Sequence, residues 1–482
     1  MAAYNDRKLE VLLFCDYKGA TASTIGDHIF AFEKFSKHNV HILNMLGDFP
    51  DELNLNKFHV IIIHYSICVA FDHFISPSTR KRIRDFPGLK VVYIQDDYRW
   101  IYTTLSALDY MRVDAIFGLA NQQIVDQVYI PSRIPTVKRR ETVLAGYVTD
   151  KLIGLPKKPY GLRTIDVGYR ARKLSPWIGV HGQQKWQIAD LFLKDARNYN
   201  LVCDISYKEE DRIYGDYWFD FLSNCKAVLG TESGASLCDF TGEIQKNVEA
   251  HLDSYPDTSF EEIRDLYFKS EDCKIMMNVI SPRCFEAAAL GTLMILYEGE
   301  YSGVLKPYRH YVPLAKDHSN MEEVVDYIQD EKRAKDIIEC AYNEVILNPE
   351  YNYTNMVKLF DNLVDEEIQS KTVIVENAYT PSEFEQITEF HLLKSKLTPF
   401  IISLMDKHLA LLPAQIRSQN PKMVSICRHI IKPILNPLYK GYLFIDKNII
   451  LSKIKNFLTQ RVRVFNPILR KLRHYLLIVV NG

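Results

Sequence analysis

The 482-residue chain is short of the features that mark several classes of protein. Its nine cysteines are an odd number, scattered and without a CxxC pair, which argues against a disulfide scaffold and a structural zinc site and favours reduced thiols in the cytosol. Its 20 glycines and 20 prolines are no more than average, which excludes collagen-like or mucin-like character. No run of about 18 apolar residues occurs, and residues 1–10 are polar, so we expect neither a membrane-spanning helix nor a signal peptide.

The net charge of −1 averages two regions of opposite charge. Residues 394–482 hold 16 lysines and arginines against two acidic side chains, a balance of +14, whereas residues 1–393 hold 43 basic and 58 acidic side chains, a balance of −15. Such asymmetry predicts that the C-terminal region binds an anionic partner. Its interleaved basic and apolar residues are typical of helices that lie on an anionic membrane. An RNA-binding arm and packing onto the acidic remainder are the alternatives, and the many Ile and Leu residues favour the membrane.

The chain before this region alternates short apolar runs with helix-like stretches, in two series. The runs of the first series are 11–14, 40–43, 60–63, 90–94 and 114–118, and those of the second are 163–169, 201–207, 226–232, 292–298 and 311–315. Continuous apolar strands separated by helices predict mainly parallel sheets, so we expect an α/β fold with two Rossmann-like domains facing across a cleft. The expected divisions are a first domain at 1–155, a second domain at 156–365 closed by helices over 321–365, a connector at 366–393 and a basic helical region at 394–482.

Residues 281–303 carry the strongest local signal for a binding site. Ser281 suits the N-cap of a helix and Pro282 its first turn, and a buried strand is predicted to follow. Arg283 and Glu286 are three residues apart, so they share one face near the start of this helix, where amides and dipole favour an anion. An arginine there grips a phosphate with two bonds, and a carboxylate one turn later accepts ribose hydroxyls. A capped surface helix with an ion pair between the two side chains is the alternative.

Polar side chains also follow two predicted strands of the second domain, where an open α/β sheet collects its ligands. Glu232 and Ser233 end one strand, in a segment of small residues that lets the backbone approach a ligand closely. Arg170 and Arg172 end another strand, and Lys185 lies on the next predicted helix. Alternation places Arg170 and Arg172 on the same side of an extended chain, where both can face a ligand. An ordinary turn and solvated surface charge are the alternatives for the two groups.

In the first domain, His64 ends the third predicted strand, and Asp96 and Asp97 end the fourth. Parallel strands bring these residues to the side of the sheet that faces the other domain. A carboxylate there can orient or deprotonate a hydroxyl, and the histidine can hydrogen-bond a ligand; turn capping is the alternative for each. Gly19 permits close approach of a ligand after the first strand, yet neither a GxGxxG fingerprint nor a Walker A motif occurs.

The segment at 281–303 resembles the donor-nucleotide motif of retaining GT-B glycosyltransferases of the group 1 type. In that family a glutamate just before Ala-x-Ala-x-Gly binds the donor ribose, and Glu286 stands at this position. A second glutamate, which contacts the donor sugar, commonly comes eight residues earlier, where this chain has Asn278. Together with 226–243 and 308–320, the segment is similar to a bacterial subgroup found among enzymes of surface polysaccharide assembly.

The resemblance implies a nucleotide-diphosphate sugar as donor substrate, and neither a metal ion nor another cofactor. In the family an arginine and a lysine neutralise the departing diphosphate, and the acceptor hydroxyl attacks the face from which it leaves, which needs positioning and charge more than a tuned base. The candidate catalytic residues are Arg170 and Lys185 for the diphosphate, Asp96 for an acceptor hydroxyl and His64 for the donor sugar. The candidate donor-binding residues are Arg172, Glu232, Ser233, Asn278, Arg283 and Glu286.

We therefore expect a glycosyltransferase that moves a hexose-type sugar, with retention, to a hydroxyl of a glycan or lipid-linked glycan. The basic region at 394–482 predicts a cytoplasmic protein that lies peripherally on the inner face of the cell membrane, and no nucleic-acid partner is expected. Two other functions stay open: a nucleotide-sugar epimerase, which also uses two Rossmann-like domains, and a catalytically silent scaffold of a polysaccharide assembly complex, which Asn278 favours slightly.

Overall fold

The computed structural model describes residues 7–17, 23–375, 377–389 and 391. Gly19 and the basic region at 394–482 lie outside the described residues, so what the sequence predicts for them stays a prediction. Within the described ranges, no helix has both the length and the apolar character needed to span a membrane.

The first domain is built on a parallel sheet whose described strands are β1 (Glu10–Cys15), β2 (Asn39–Asn44), β3 (Val60–Ile63), β4 (Leu89–Tyr93), β5 (Ala115–Gly118) and β6 (Arg139–Thr142). The strand order is β2-β1-β3-β4-β5-β6. The central strands are apolar runs buried on both faces, as a parallel sheet covered by helices requires. The helices are α1 (Ser23–Phe35), α2 (Pro77–Asp85), α3 (Ile101–Met111), α4 (Val125–Val128) and α5 (Asp150–Ile153).

The second domain repeats this architecture. Its described strands are β7 (Ile165–Arg170), β8 (Cys203–Ser206), β9 (Cys225–Gly230), β10 (Ser233–Ala235), β11 (Met277–Val279), β12 (Leu293–Tyr297) and β13 (Val312–Leu314). The parallel sheet has the order β13-β12-β9-β7-β8, and β10 pairs with β11 in a separate antiparallel ribbon. The helices are α6 (Val180–Ala196), α7 (Asp216–Asn224), α8 (Glu243–Ser254), α9 (Phe260–Tyr267), α10 (Pro282–Ala289), α11 (Met321–Gln329) and α12 (Glu331–Ala341).

The two sheets share one topology. When the strands of each sheet are numbered in chain order, both sheets have the order 2-1-3-4-5, and the sheet of the first domain adds a sixth strand beside the fifth. In this doubly wound order the loops after the first and third strands diverge, which opens a crevice for a ligand. The expected α/β fold with two Rossmann-like domains is thus confirmed.

A long helix near the end of the described residues returns to the first domain. We expected the helices over 321–365 to close the second domain, but α13 (Tyr353–Glu367) packs in the apolar core of the first. The ring of Phe360 on α13 lies 5.3 Å from that of Phe32 on α1, with the ring planes nearly perpendicular. The apolar stripe of α13 has the spacing of any core-facing helix, so its sequence does not say which domain it covers.

An unpredicted link joins the two domains at one side. The amide of Asp239 donates to the carbonyl oxygen of Tyr98 at 2.8 Å, and the amide of Tyr102 donates to that of Phe240 at 2.9 Å. The second-domain residues of this link begin the insertion between β10 and β11, which carries α8 and α9. The loop after β4 is therefore held by the second domain.

Candidate functional site

A cavity of about 520 Å³ opens between the two domains, where β7 and β9 end. Ser23 and Thr24, at the start of α1, line it from the first domain. The candidate residues that line it are Asp96, Arg170, Arg172, Lys185, Ser233, Arg283 and Glu286. The cavity therefore lies at the crevice that the strand order of the second domain creates.

Three cationic side chains, Arg172, Lys185 and Arg283, lie on the second-domain side of the cavity. Burial, together with the charges of Arg283 and Arg172, lowers the pKa of Lys185 to about 8, while the charge of Asp96 acts in the opposite direction. Among the described residues, none of the three cations has a carboxylate partner within salt-bridge distance. Cations that repel one another in this way are stabilised by a bound anion.

Lys185 reaches the cavity because of the way α6 begins. Gly179 caps the helix with a φ of +80°, and a Cβ there would come within 2.3 Å of Oγ of Ser236. Only glycine adopts this conformation without strain at such a close approach. The second turn of α6, with Lys185, is thereby directed to the ends of β7 and β9.

The helix expected after Ser281 is present as α10, with Pro282 as its first residue. Oγ of Ser281 accepts a hydrogen bond from the amide of Arg283 at 3.4 Å. Oε2 of Glu286, which is half-buried, accepts from Nε1 of Trp218 at 2.6 Å. Burial raises the pKa of Glu286, whereas the hydrogen bond from Trp218 and the charge of Arg283 lower it.

The ion pair between Arg283 and Glu286, which the alternative interpretation requires, is not formed among the described residues. Arg283 instead donates to the carbonyl oxygen of Arg170, and its guanidinium lies 5.0 Å from the centre of the Trp218 ring. Both side chains line the cavity. The surface-helix alternative is therefore wrong for this pair.

Arg170 lines the cavity, but its guanidinium is already engaged by the protein. Nη2 donates to Oδ1 of Asp204 at 2.7 Å, and Nη1 donates to the carbonyl oxygens of Tyr169 and Asp204. Nε donates to the carbonyl oxygen of Asp211 at 3.0 Å. The expected role in neutralising a diphosphate does not fit this geometry, because each of its three nitrogens already donates to β7, β8 or the loop after β8. Arg172, two residues on, has no such partners among the described residues.

Asp96 is the acidic side chain that the first domain contributes to the cavity. The hydroxyl of Tyr98 donates to its Oδ1 at 3.3 Å, and Nη1 of Arg99 lies 3.8 Å from its Oδ2. Its side chain is 58% exposed, so the carboxylate is open to a ligand. The neighbouring Asp97 is buried, accepts from the amides of Leu119 and Ala120, and has a pKa that burial raises to about 6.

His64 does not line the cavity, so the predicted contact with a donor sugar is wrong. The ring is fully buried, with Nε2 3.1 Å from Nδ1 of His28 and Nδ1 2.9 Å from Oγ of Ser66. Burial lowers the pKa of both histidines, that of His28 to about 3, so both rings are neutral at pH 7. The pair belongs to the core under α1.

The carboxylate of Glu232 is used inside the second domain. Its Oε1 accepts from the amides of Glu300 and Tyr301 at 2.9 and 2.7 Å, and its side chain is buried away from the cavity lining. The predicted donor contact by Glu232 is therefore wrong, because the loop after β12 occupies the carboxylate. Ser233, the next residue, does line the cavity, as alternation along an extended chain allows.

Asn278 also lies outside the cavity lining. It sits on β11 opposite Gly234, and its Oδ1 is buried without a hydrogen-bond partner among the described residues. The predicted hydrogen bond to a donor hydroxyl is not supported by this position, because the side chain is not part of the cavity lining.

Trp218 and the start of α1 are among the parts of the cavity lining that were not predicted. Trp218 lines the cavity, yet its helical spacing with Phe221 is that of a core residue, and it carries no local signal of function. Ser23 and Thr24 belong to a helix start rich in Ser and Thr, a pattern that signals an N-terminus but not a binding role.

No protein-family model and no curated protein matches this chain. It is similar in structure to an alpha-glucosyltransferase in complex with UDP-glucose and DNA, at 10% identity and a TM-score of 0.46 over 74% of this chain and all of that one. It is also similar to HepE of Anabaena in complex with UDP, at 10% identity and a TM-score of 0.38 over 75% and 100%. An alpha1,3-fucosyltransferase matches at 11% identity and 0.37 over 76% and 92%. Because these TM-scores are below 0.5, the assignment of the fold rests on the strand order of the two sheets.

Proposed function

We propose that this protein is a glycosyltransferase that moves a hexose-type sugar from a nucleotide-diphosphate donor to a hydroxyl of a glycan or lipid-linked glycan, with retention. The observation that carries the proposal is the group of three cations, Arg172, Lys185 and Arg283, which share one cavity with Glu286 and face Asp96 across it.

The cations suit a diphosphate that leaves with the electron pair of the glycosidic bond. Negative charge grows on the leaving group in the transition state, and fixed cations in a cavity with little water stabilise it strongly. Arg172 and Arg283 offer planar donors for phosphate oxygens, and Lys185 offers a compact charge. Because three side chains supply this charge, we propose that transfer does not depend on a metal ion.

Glu286 suits the sugar part of a nucleotide. Its Oε2 is held by Trp218, and among the described residues Oε1 has no protein hydrogen-bond donor, so it is open to a ribose hydroxyl. Burial strengthens such a hydrogen bond as long as the carboxylate stays ionised. Arg283, one turn earlier on α10, then lies on the phosphate side of the same ligand.

Asp96 suits the acceptor. It reaches the cavity from the opposite domain, as a group that orients an attacking hydroxyl must. Attack from the face that the diphosphate leaves requires no nucleophile of the protein, and a phosphate oxygen of the leaving group takes the proton of the hydroxyl.

The test is a panel of nucleotide sugars incubated with the protein, with and without glycolipid extracted from bacterial membranes. Release of nucleoside diphosphate that depends on glycolipid, with the sugar transferred to it, supports the proposal. Isomerisation of the sugar without an acceptor identifies an epimerase instead. Binding without any turnover identifies a silent scaffold, and unchanged turnover in EDTA supports independence from a metal.

We further propose that the region at 394–482 holds the protein on an anionic membrane on the cytoplasmic face, where a surface polysaccharide is assembled. Its charge of +14 carries this proposal, since each basic residue near such a surface contributes roughly 1 kcal/mol. Flotation with vesicles of phosphatidylglycerol, against vesicles of phosphatidylcholine, tests it with the full chain and with 394–482 deleted. Binding of the truncated, folded chain to the anionic vesicles would contradict it.

A further inference from the structure

Trp218 touches both side chains that the proposed function assigns to the nucleotide. Its indole Nε1 donates to Oε2 of Glu286 at 2.6 Å. The guanidinium of Arg283 lies 5.0 Å from the centre of the same ring. The edge of the ring therefore hydrogen-bonds the carboxylate of Glu286, and its face contacts the guanidinium of Arg283. The second contact has the geometry of a cation–π interaction.

The ring itself is rigidly held. Trp218 is 9% exposed, and it stacks on Phe221 of the same helix with ring centres 5.7 Å apart and planes 27° apart. Its helix, α7, packs against α10, which carries Glu286 and Arg283. Because the ring is buried and contacts both Glu286 and Arg283, the position of α7 constrains the positions of these two side chains.

The hydrogen bond also bears on the charge of Glu286. The carboxylate is otherwise disfavoured by burial and by Asp27 of α1, and it is favoured by Arg283 of its own helix. Lys151 of α5 acts on Asp27 and pairs with Asp216 of α7 at 3.1 Å, so these charges are partly balanced by one another. Among the described residues, Trp218 is the hydrogen-bond donor to this carboxylate.

We propose that Trp218 is a positioning residue of the donor site, which orients Glu286 for a ribose hydroxyl and Arg283 for a phosphate of a nucleoside diphosphate. This inference rests on the proposed function. It goes beyond that function by assigning the geometry of the site to a residue that does not itself carry charge. Its N–H keeps one carboxylate oxygen occupied and directs the other to the ligand.

The experiment measures the affinities of UDP, GDP, ADP and CDP for the full chain by calorimetry between pH 5 and 8. The tightest ligand is then compared with its 2′-deoxy counterpart. The variant is Trp218→Phe, which keeps a ring for stacking and removes the N–H. The matched control is Trp186→Phe, because Nε1 of Trp186 donates to Oε1 of Gln183 at 3.0 Å outside the cavity lining.

We expect Trp218→Phe to weaken binding about tenfold at pH 7, the loss of one hydrogen bond to a charged group. The preference for ribose over deoxyribose should shrink. Binding should also fail at a higher pH than in the wild type as the solution is acidified, because a carboxylate without its donor has a higher pKa. Trp186→Phe should match the wild type in all three measurements. In a Glu286→Gln background, Trp218→Phe should have little further effect on the ribose preference.

A loss of affinity that is equal at every pH, with the ribose preference unchanged, would show that Trp218 only supports the fold, and unchanged affinity would equally overturn the inference. If Trp218→Phe does not fold, benzothienylalanine at position 218 replaces the N–H by sulfur in a ring of the same shape. Failure of the proposed function looks different, since the wild type would then bind none of the four nucleotides. That result would remove this inference as well.

Discussion

The two Rossmann-like domains have the same strand order, and the loops at the ends of their strands contribute unequally to the cavity. The second domain supplies the charged side chains of Arg172, Lys185, Arg283 and Glu286, whereas the charged group of the first is Asp96, beside the uncharged Gln95, Tyr98 and start of α1. At the end of β3 the first domain places His64, which turns into the core. The cavity therefore has a cationic wall from the second domain and a less charged wall from the first.

The position of the crevice and its binding properties therefore have separate causes. Strand order determines where a crevice opens, since the loops after the first and third strands must diverge. The side chains on those loops determine what the crevice binds. If the charged side chains of the second domain are responsible for ligand binding, changes at these residues should have larger effects than a change in the first domain.

The largest effect is expected for Lys185→Ala. Loss of a fixed cation beside the departing diphosphate should lower kcat about 10²- to 10³-fold, with a smaller change in KM. Transfer from the active nucleotide sugar measures it, with Lys173→Ala, an exposed lysine on the same side of the domain, as the control. A kcat within a factor of two of the wild type would show that the cation cluster does not act on the leaving group.

Removal of Arg283 or Glu286 is expected to have the next largest effect. Each loss of a charge-assisted contact should weaken nucleoside diphosphate binding by about 1.5–3 kcal/mol, with the fold intact. Calorimetry measures the affinity of Arg283→Ala and Glu286→Ala, and thermal unfolding checks the fold. Lys269→Ala, an exposed surface change, is the control. Wild-type affinity in both variants would show that the side chains of α10 do not bind the nucleotide.

A pH dependence of moderate size follows from Lys185, whose pKa is lowered to about 8. The side chain carries its charge below this pH and loses it above, so kcat/KM, which reports the free enzyme, should fall as the pH rises through about 8. A bound anion raises the pKa again, so kcat should fall only at higher pH. Lys185→Arg should abolish the alkaline limb, because arginine stays charged. Retention of the limb in that variant would assign it to another group.

The smallest effect on binding is expected in the first domain. His64→Ala should leave nucleoside diphosphate affinity unchanged, because the ring does not reach the cavity. It should lower the free energy of unfolding by about 1–3 kcal/mol, since Nδ1 of His28 loses its partner in the core. Denaturant unfolding and calorimetry on the same sample measure both. Weaker binding with unchanged stability would show that His64 contributes to the binding site.

The sequence predicts most of the fold because apolar runs report burial directly. The strands of both parallel sheets match predicted runs except β6, whose sequence Arg-Arg-Glu-Thr has no apolar signal. The ribbon of β10 and β11 and the helices α8 and α9 were not predicted either. Short strands and an amphipathic insertion look the same whether they lie beside a site or far from it.

The candidate site was predicted only in part, for reasons that lie in individual side chains. Arg170 and Arg172 are alike in sequence, yet Asp204, on the neighbouring strand, takes up the first and leaves the second open. Glu232 and Ser233 are adjacent, and alternation sends one into the loop after β12 and the other to the cavity. Residue type alone does not indicate whether a polar side chain is bonded within the protein or left open to a ligand.

The sequence by itself determined the two series of strands and helices, the capped start of α10 and the basic character of 394–482, because each depends on local pattern or composition. The tertiary structure decided which charges meet, since Arg172, Lys185 and Arg283 come from three elements that only the packing of β7, α6 and α10 brings together. It also decided that Trp218 joins them and that His64 does not. Contacts between distant residues follow from the packing of the whole chain, and no local pattern encodes them.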